Sequence, residues 1–132
     1  MSRSAIFASN TTPQALTAGS GISFGNVVRR FGCNCRLNGN ALILSGVGYY
    51  DADINVVVRG SAAGTAEIVL LKDGVAIPGA TASTATSTTS INTVSVHAIV
   101  RELCCEGGST LTLELRGVDA TIGNVSAVVE KL

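Results

Sequence analysis

Between Gly46 and Arg59 the side chains alternate in a way that suits an extended chain. Tyr50, Ala52, Ile54, Val56 and Val58 fall on one side, and Tyr49, Asp51, Asp53, Asn55 and Arg59 on the other, with Val57 apolar among the last positions. Successive side chains on a strand point to opposite faces, so this stretch predicts a strand buried on one face. The opposite face is polar without being fully charged, which suits either water or a partner subunit. The other candidate strands are expected to pair with this one or to pack over it.

Along the rest of the chain, Ala5–Ser9 is a short apolar run ended by the turn cluster 10–13. Leu16–Ser23 is punctuated by Gly and Ser and predicts a loop. Phe24–Phe31, with Val27, Val28 and Phe31 around Arg29-Arg30, predicts a short edge strand, where charge discourages stray pairing. Asn38-Gly39-Asn40 signals a turn into a strand over Ala41–Ser45. Thr65–Lys72 predicts a strand apolar on both faces. Asp73-Gly74 predicts a two-residue hairpin turn, after which Val75–Ile77 is closed by Pro78-Gly79. The Ala/Thr/Ser stretch Ala80–Ser90 fits either disorder or a weakly specified edge strand. From Asn92, Val94, Val96, Ala98 and Val100 alternate with Thr93, Ser95, His97, Ile99 and Arg101. In Thr110–Arg116 three leucines alternate with Thr112, Glu114 and Arg116, and Val125–Leu132 is the last strand.

No window carries a 3.6-residue period behind an N-cap. About ten short antiparallel strands separated by Gly, Asn and Pro turns predict an all-β sandwich or barrel, one domain over residues 1–132. The apolar character of both faces in Thr65–Lys72 and Val125–Leu132 predicts a subunit contact beyond the sandwich core. Composition agrees: only 14% of residues are charged, against about 25% in soluble domains. Basic and acidic residues balance at nine each, which disfavours nucleic acid and anionic membranes as partners. No apolar run approaches the roughly 20 residues of a membrane span. The opening residues lack the apolar core of a signal peptide, so synthesis in the cytoplasm is expected.

The opening Ala5–Thr11, the strand Gly48–Val56, the hairpin Leu71–Gly79 and the closing Val128–Leu132 together resemble the C-terminal globular domains of collagen-like spore-surface glycoproteins. Small proteins of bacteriophages and prophages share the pattern, and complement-type heads and tumour-necrosis-factor (TNF)-like domains are more distantly similar. What the resemblance implies is a TNF-like jelly-roll sandwich that forms a homotrimer, with Tyr49, Asp51, Asp53, Asn55, His97 and Val128 as candidate trimer-interface residues. Unlike the spore proteins, this sequence has no Gly-X-Y stalk. That difference favours a virion component, a capsid decoration or head-fibre protein that binds other virion proteins. A receptor- or glycan-binding fibre tip and a spore-surface coat protein are the alternatives.

Cys33-Asn34-Cys35 and Cys104-Cys105 are the unusual chemistry. The readings are reduced thiols, disulfides or, against the usual Cys-x-x-Cys spacing, zinc. In the resembled fold the strands before Cys33 and Cys104 lie on opposite edges of one sheet. The resemblance therefore places these cysteines far apart within a subunit and makes an intersubunit bridge the candidate disulfide geometry. Asp51-x-Asp53 puts two carboxylates on one strand face, with Asn55 beyond. Without the ligand-dense loop of a calcium site, this reads as a polar interface or solvent face rather than a metal site. His97 is the one histidine and reads as a hydrogen-bonded or interface residue. No Ser-His-Asp set or Gly-x-Ser-x-Gly elbow is present, so no enzyme, cofactor or resident metal is expected.

Overall fold

The computed structural model describes residues 3–102 and 108–132. Within them twelve strands follow one another: β1 (Ala5–Asn10), β2 (Gln14–Leu16), β3 (Gly21–Ile22), β4 (Asn26–Phe31), β5 (Cys35–Asn38), β6 (Ala41–Leu44), β7 (Gly48–Gly60), β8 (Gly64–Lys72), β9 (Val75–Thr86), β10 (Ile91–Glu102), β11 (Ser109–Arg116) and β12 (Ala120–Lys131). The first sheet is ordered β10-β7-β12-β1-β4, with β2 added on β12. The second is ordered β5-β6-β11-β8-β9, with β3 added on β11. Every pairing is antiparallel. From β9 onward successive strands step between the sheets, which is jelly-roll connectivity.

The core lies between the two sheets and follows the period-two pattern. Tyr50, Ala52, Ile54, Val56 and Val58 of β7 are all buried, and so are Leu111, Leu113 and Leu115 of β11. Tyr50 fits an apolar core because its hydroxyl donates to the carbonyls of Ser45 and Gly46, each 2.8 Å away. The hairpin between β8 and β9 turns on Asp73 and Gly74, whose φ values of 51° and 81° are the positive pair that a two-residue primed turn requires.

The expected antiparallel sandwich of about ten strands holds, with twelve strands among the described residues, of which four, β7, β9, β10 and β12, run to 12 or 13 residues. Other expectations are corrected. The region read as a loop after Leu16 contains β3, and Leu16 itself ends β2. Both strands are too short for periodicity to register, and pairing with the long β12 and β11 holds them in place. β5 was hidden because its four residues sit between two turns. β9 is not closed by Pro78-Gly79: it bulges there and continues to Thr86 as the edge of the second sheet. Proline is tolerated because an edge bulge needs no ladder hydrogen bond from it.

Thr65–Lys72 also needs no partner subunit for its second face. Val69 and Leu71 are buried within the single chain, flanked across the sheet by Glu114 and Thr112 of β11. In β12, by contrast, Val125, Ala127 and Val129 enter the core while Val128 remains 41% exposed.

A glycine sets the approach to β12. Gly117 has φ +94°, and a Cβ there would lie 2.2 Å from the carbonyl oxygen of Thr65. Gly117→Ala combines a left-handed backbone with a clash against main chain that cannot swing away. The expected cost is on the order of 1–3 kcal/mol, read as a clear fall in melting temperature at unchanged secondary structure.

Candidate functional site

The outer face of the first sheet is where the candidate interface residues meet. Cross-strand partners share a face, so the registers define two rows. One row runs His97, Asp53, Val128, Phe7, Arg29 across β10, β7, β12, β1 and β4. The next runs Ile99, Asp51, Glu130, Ala5, Phe31. Tyr49 and Arg101 form the start of a third, with the Arg101 guanidinium carbon 5.9 Å from the Tyr49 ring centroid, within reach of a cation–π contact. Tyr49, Ile99, Phe31 and Val128 are all exposed.

The polar members pair locally. His97 Nε2 contacts Asp51 Oδ1 across the β10–β7 boundary, and the Ser95 hydroxyl donates to Asn55 Oδ1. Asp51 and Asp53 do share a face as their spacing predicts, but Asp51 is engaged by His97. Among the described residues no group of three or more His, Cys, Asp or Glu is arranged to hold a metal ion.

Sequence reasoning did not single out Phe7, Phe31, Ile99, Arg101 and Glu130 as members of this face. Glu130 was legible by parity, two residues beyond Val128. Phe7 and Phe31 were not, because only the β1–β4 register, with its shift after Phe7, places them beside the others.

Cys35 starts β5 and Cys33 lies just before it. Cys33 is exposed and Cys35 buried, and both are free thiols; Cys104 and Cys105 fall outside the described residues. β4 and β10 are indeed opposite edges of the first sheet, but the described flanks of the two cysteine pairs converge. Cys35 and Ser109 both pair with Leu44, one on each side of β6, and the Ser109 hydroxyl donates to the buried carboxylate of Glu102. β6 of the second sheet thus joins these two flanks; the expected separation of the cysteine pairs falls outside the described residues. Among the described residues the buried Glu102 Oε1 has no hydrogen-bond partner.

This region is electrostatically unusual. Burial pushes the Cys35 thiol up to about 11 from an ordinary 9.0, partly offset by the Arg30 and Lys131 charges. Burial, and then the neighbouring Cys35, Glu102 and Cys33, push the Tyr50 phenol up to about 12 from 10.0. Groups that hold protons more tightly when folded stabilise the fold below their unfolded pKa, and that contribution disappears as pH rises through the folded value. Stability is thus expected to fall between pH 9 and 12 by roughly 2–3 kcal/mol for each group. Thermal melts across that range check this, and Tyr50→Phe with Cys35→Ala should flatten the decline.

Alkylation gives a second readout. At pH 8 a thiol with a pKa of about 11 is thiolate only about once in a thousand molecules, and thiolate is the reactive form. Iodoacetamide should modify Cys33 in the reduced native protein and spare Cys35 until the protein is unfolded. Equal labelling of the two, read by mass spectrometry, would contradict the burial of Cys35.

Comparison of the sequence with protein-family profiles and with curated proteins finds no match. Solved structures do match over nearly the whole chain. Murine APRIL at pH 5.0 aligns with a TM-score of 0.75 at 14% identity, covering 99% of this chain and 100% of that one. The globular domain of zebrafish complement 1qA protein aligns at 0.69 and 12% identity, covering 97% and 94%. PRD1 vertex protein P5 aligns at 0.65 and 14% identity, covering 98% and 96%. Two six-stranded antiparallel sheets, their strand order and this likeness together establish the fold: the chain is a jelly roll of the kind found in TNF-like and complement-type heads.

Proposed function

We propose that this chain is a non-enzymatic, homotrimeric structural protein of a bacteriophage or prophage particle, a capsid decoration or head-fibre protein. The observation that carries the assembly reading is the outer face of the first sheet. Exposed apolar side chains from β10, β7, β12 and β4 lie on it, with Phe7 of β1 half-buried among them, in a chain with few charges to keep such a face in water. Exposed apolar side chains spread over these strands and interleaved with charged ones make the kind of surface that association covers.

The particle assignment draws on the likeness in fold to a phage vertex protein. The titratable residues fit a structural role, since the His97–Asp51 pair lies on an open sheet face rather than in a water-excluding cleft. Release in the virion, after synthesis in the host cytoplasm, is part of the proposal. A glycan-binding tip is less well supported, because the chain has no Trp and two Tyr, a small stock for the aromatic stacking that sugar sites use.

Two measurements test it. Light scattering of the purified chain at micromolar concentration should give three times the 13.3 kDa chain mass; a monomer refutes the assembly. Mass spectrometry and antibody-labelled electron microscopy of particles from the encoding organism should place the chain on capsids. Its absence from particles refutes the virion role and leaves the spore surface to be examined.

A further inference from the structure

The chain separates its charges along its length. Residues 1–50 hold Arg3, Arg29, Arg30 and Arg36 and no Asp or Glu, so every acidic residue lies from Asp51 onward. The fold gathers these arginines at one edge of the sandwich. β4 and β5 are terminal strands of their two sheets, and they lie side by side: Arg30 Nε of β4 donates to the Cys35 carbonyl of β5 at 2.6 Å. Arg36 follows Cys35 on β5. The Arg3 carbonyl abuts Gly32 in the turn between the strands, where a Cβ would lie 2.3 Å from it. All four arginines are exposed, and among the described residues none of them forms an ion pair.

β4 itself is an open template. All six of its residues are exposed, including Val27, Val28 and Phe31 at 43%, 52% and 60%. Its ladder partner is β1 on one side, and among the described residues no other backbone hydrogen bond engages 26–31. A row of unpaired N–H and C=O groups is what an incoming strand completes. A second copy of β4 is a poor occupant, because edge-to-edge pairing would set arginine against arginine. The same charges admit an acidic strand, so they select the partner as well as exclude the copy.

We infer that the free edge of β4 receives an extended, acidic and apolar segment of another protein, added as a further strand of the first sheet. Main-chain hydrogen bonds supply its affinity, and its alternate side chains supply selectivity. Carboxylates of the segment meet the arginines of β4 and β5, and its apolar side chains meet Val27 and Val28. Arg29 and Phe31 also belong to the outer face of the first sheet. Arg30 does not, because its partner Ile6 points into the core, and Arg36 is on the second sheet. Those two arginines therefore report on the edge alone. Opposite charge also makes the association dependent on salt. This site goes beyond the proposed trimer and does not depend on it.

A capped, labelled hexapeptide of alternating Glu and Val, the length of β4, is the probe. Fluorescence anisotropy with the full chain should show saturable binding in low salt. Arg36→Glu and Arg30→Glu should each weaken it about tenfold or more. Circular dichroism and melting should show the Arg36 variant folded, and it is the primary test because Arg30 also holds the Cys35 carbonyl. Hydrogen exchange should slow at residues 26–31 when the peptide saturates. N-methylation of alternate peptide amides keeps the charge but removes the donors of the ladder, and it should abolish binding. A probe that does not bind overturns the inference, as does binding that Arg36→Glu leaves unchanged. An N-methylated peptide or inorganic polyphosphate that binds as tightly as the probe overturns strand addition and makes the corner a polyanion site. Light scattering reads the trimer separately, so failure here leaves that reading intact.

Discussion

Leu113→Asp should leave no soluble folded protein, while Glu114→Ala should melt within about a degree or two of the native chain. The two residues are neighbours on β11, and their difference is one of phase alone. Leu113 is buried at the centre of the second sheet, opposite Leu70 on one side and Ile22 on the other. Removing a buried leucine side chain costs about 2–5 kcal/mol, and an unpaired carboxylate in its place adds several more. Together these rival the roughly 5–15 kcal/mol of an entire domain. Glu114 points out, and its ion pair among the described residues is with Arg116, 2.9 Å away, a pair worth about 1 kcal/mol at most. Soluble yield and thermal melts measure both effects. Equal behaviour of the two variants would refute the assignment of β11 faces.

Val128→Asp should turn the proposed trimer into a monomer at micromolar concentration. Val128 sits at the middle of the exposed face, directly across from Asp53 and between Phe7 and the β7 strand. A carboxylate there would be buried by assembly without a partner and would add a further negative charge beside Asp53, Asp51 and Glu130. Within one chain Val128 is 41% exposed, so the cost falls on association rather than on the subunit core. Thr81→Asp, on the exposed edge strand of the other sheet, should remain trimeric and serves as the control. Light scattering reads both variants, and a trimeric Val128→Asp protein would move the interface off this face.

The long strands were legible because burial of one face imposes a period of two. β7, β10 and β11 show it plainly, and Ala52, Val96 and Leu113 could each be assigned inward from parity. The Asp73-Gly74 hairpin was legible because few residue pairs accept two positive φ values. β2, β3 and β5 were not, since two to four residues carry too little pattern and are strands only because longer neighbours pair with them. Val69 shows the opposite failure. Its outward parity suggested a subunit contact, but neighbouring strands within the chain cover it.

From local alternation and turn chemistry alone, the chain determines that it is all-β, which strands have an apolar side, and which residues lie on the polar side of β7. These depend on neighbours in sequence. Tertiary structure decided which strands lie side by side, and so which residues become one surface. Phe7, Asp53, Val128 and His97 come from four separate segments, and only the β1–β12–β7–β10 registers make them a row. The convergence of Cys35, Tyr50 and Glu102 at one end likewise follows from β6 and β11 bridging the sandwich. Pairing partners are chosen by the packing of a whole core, a long-range energy that no single stretch of sequence contains.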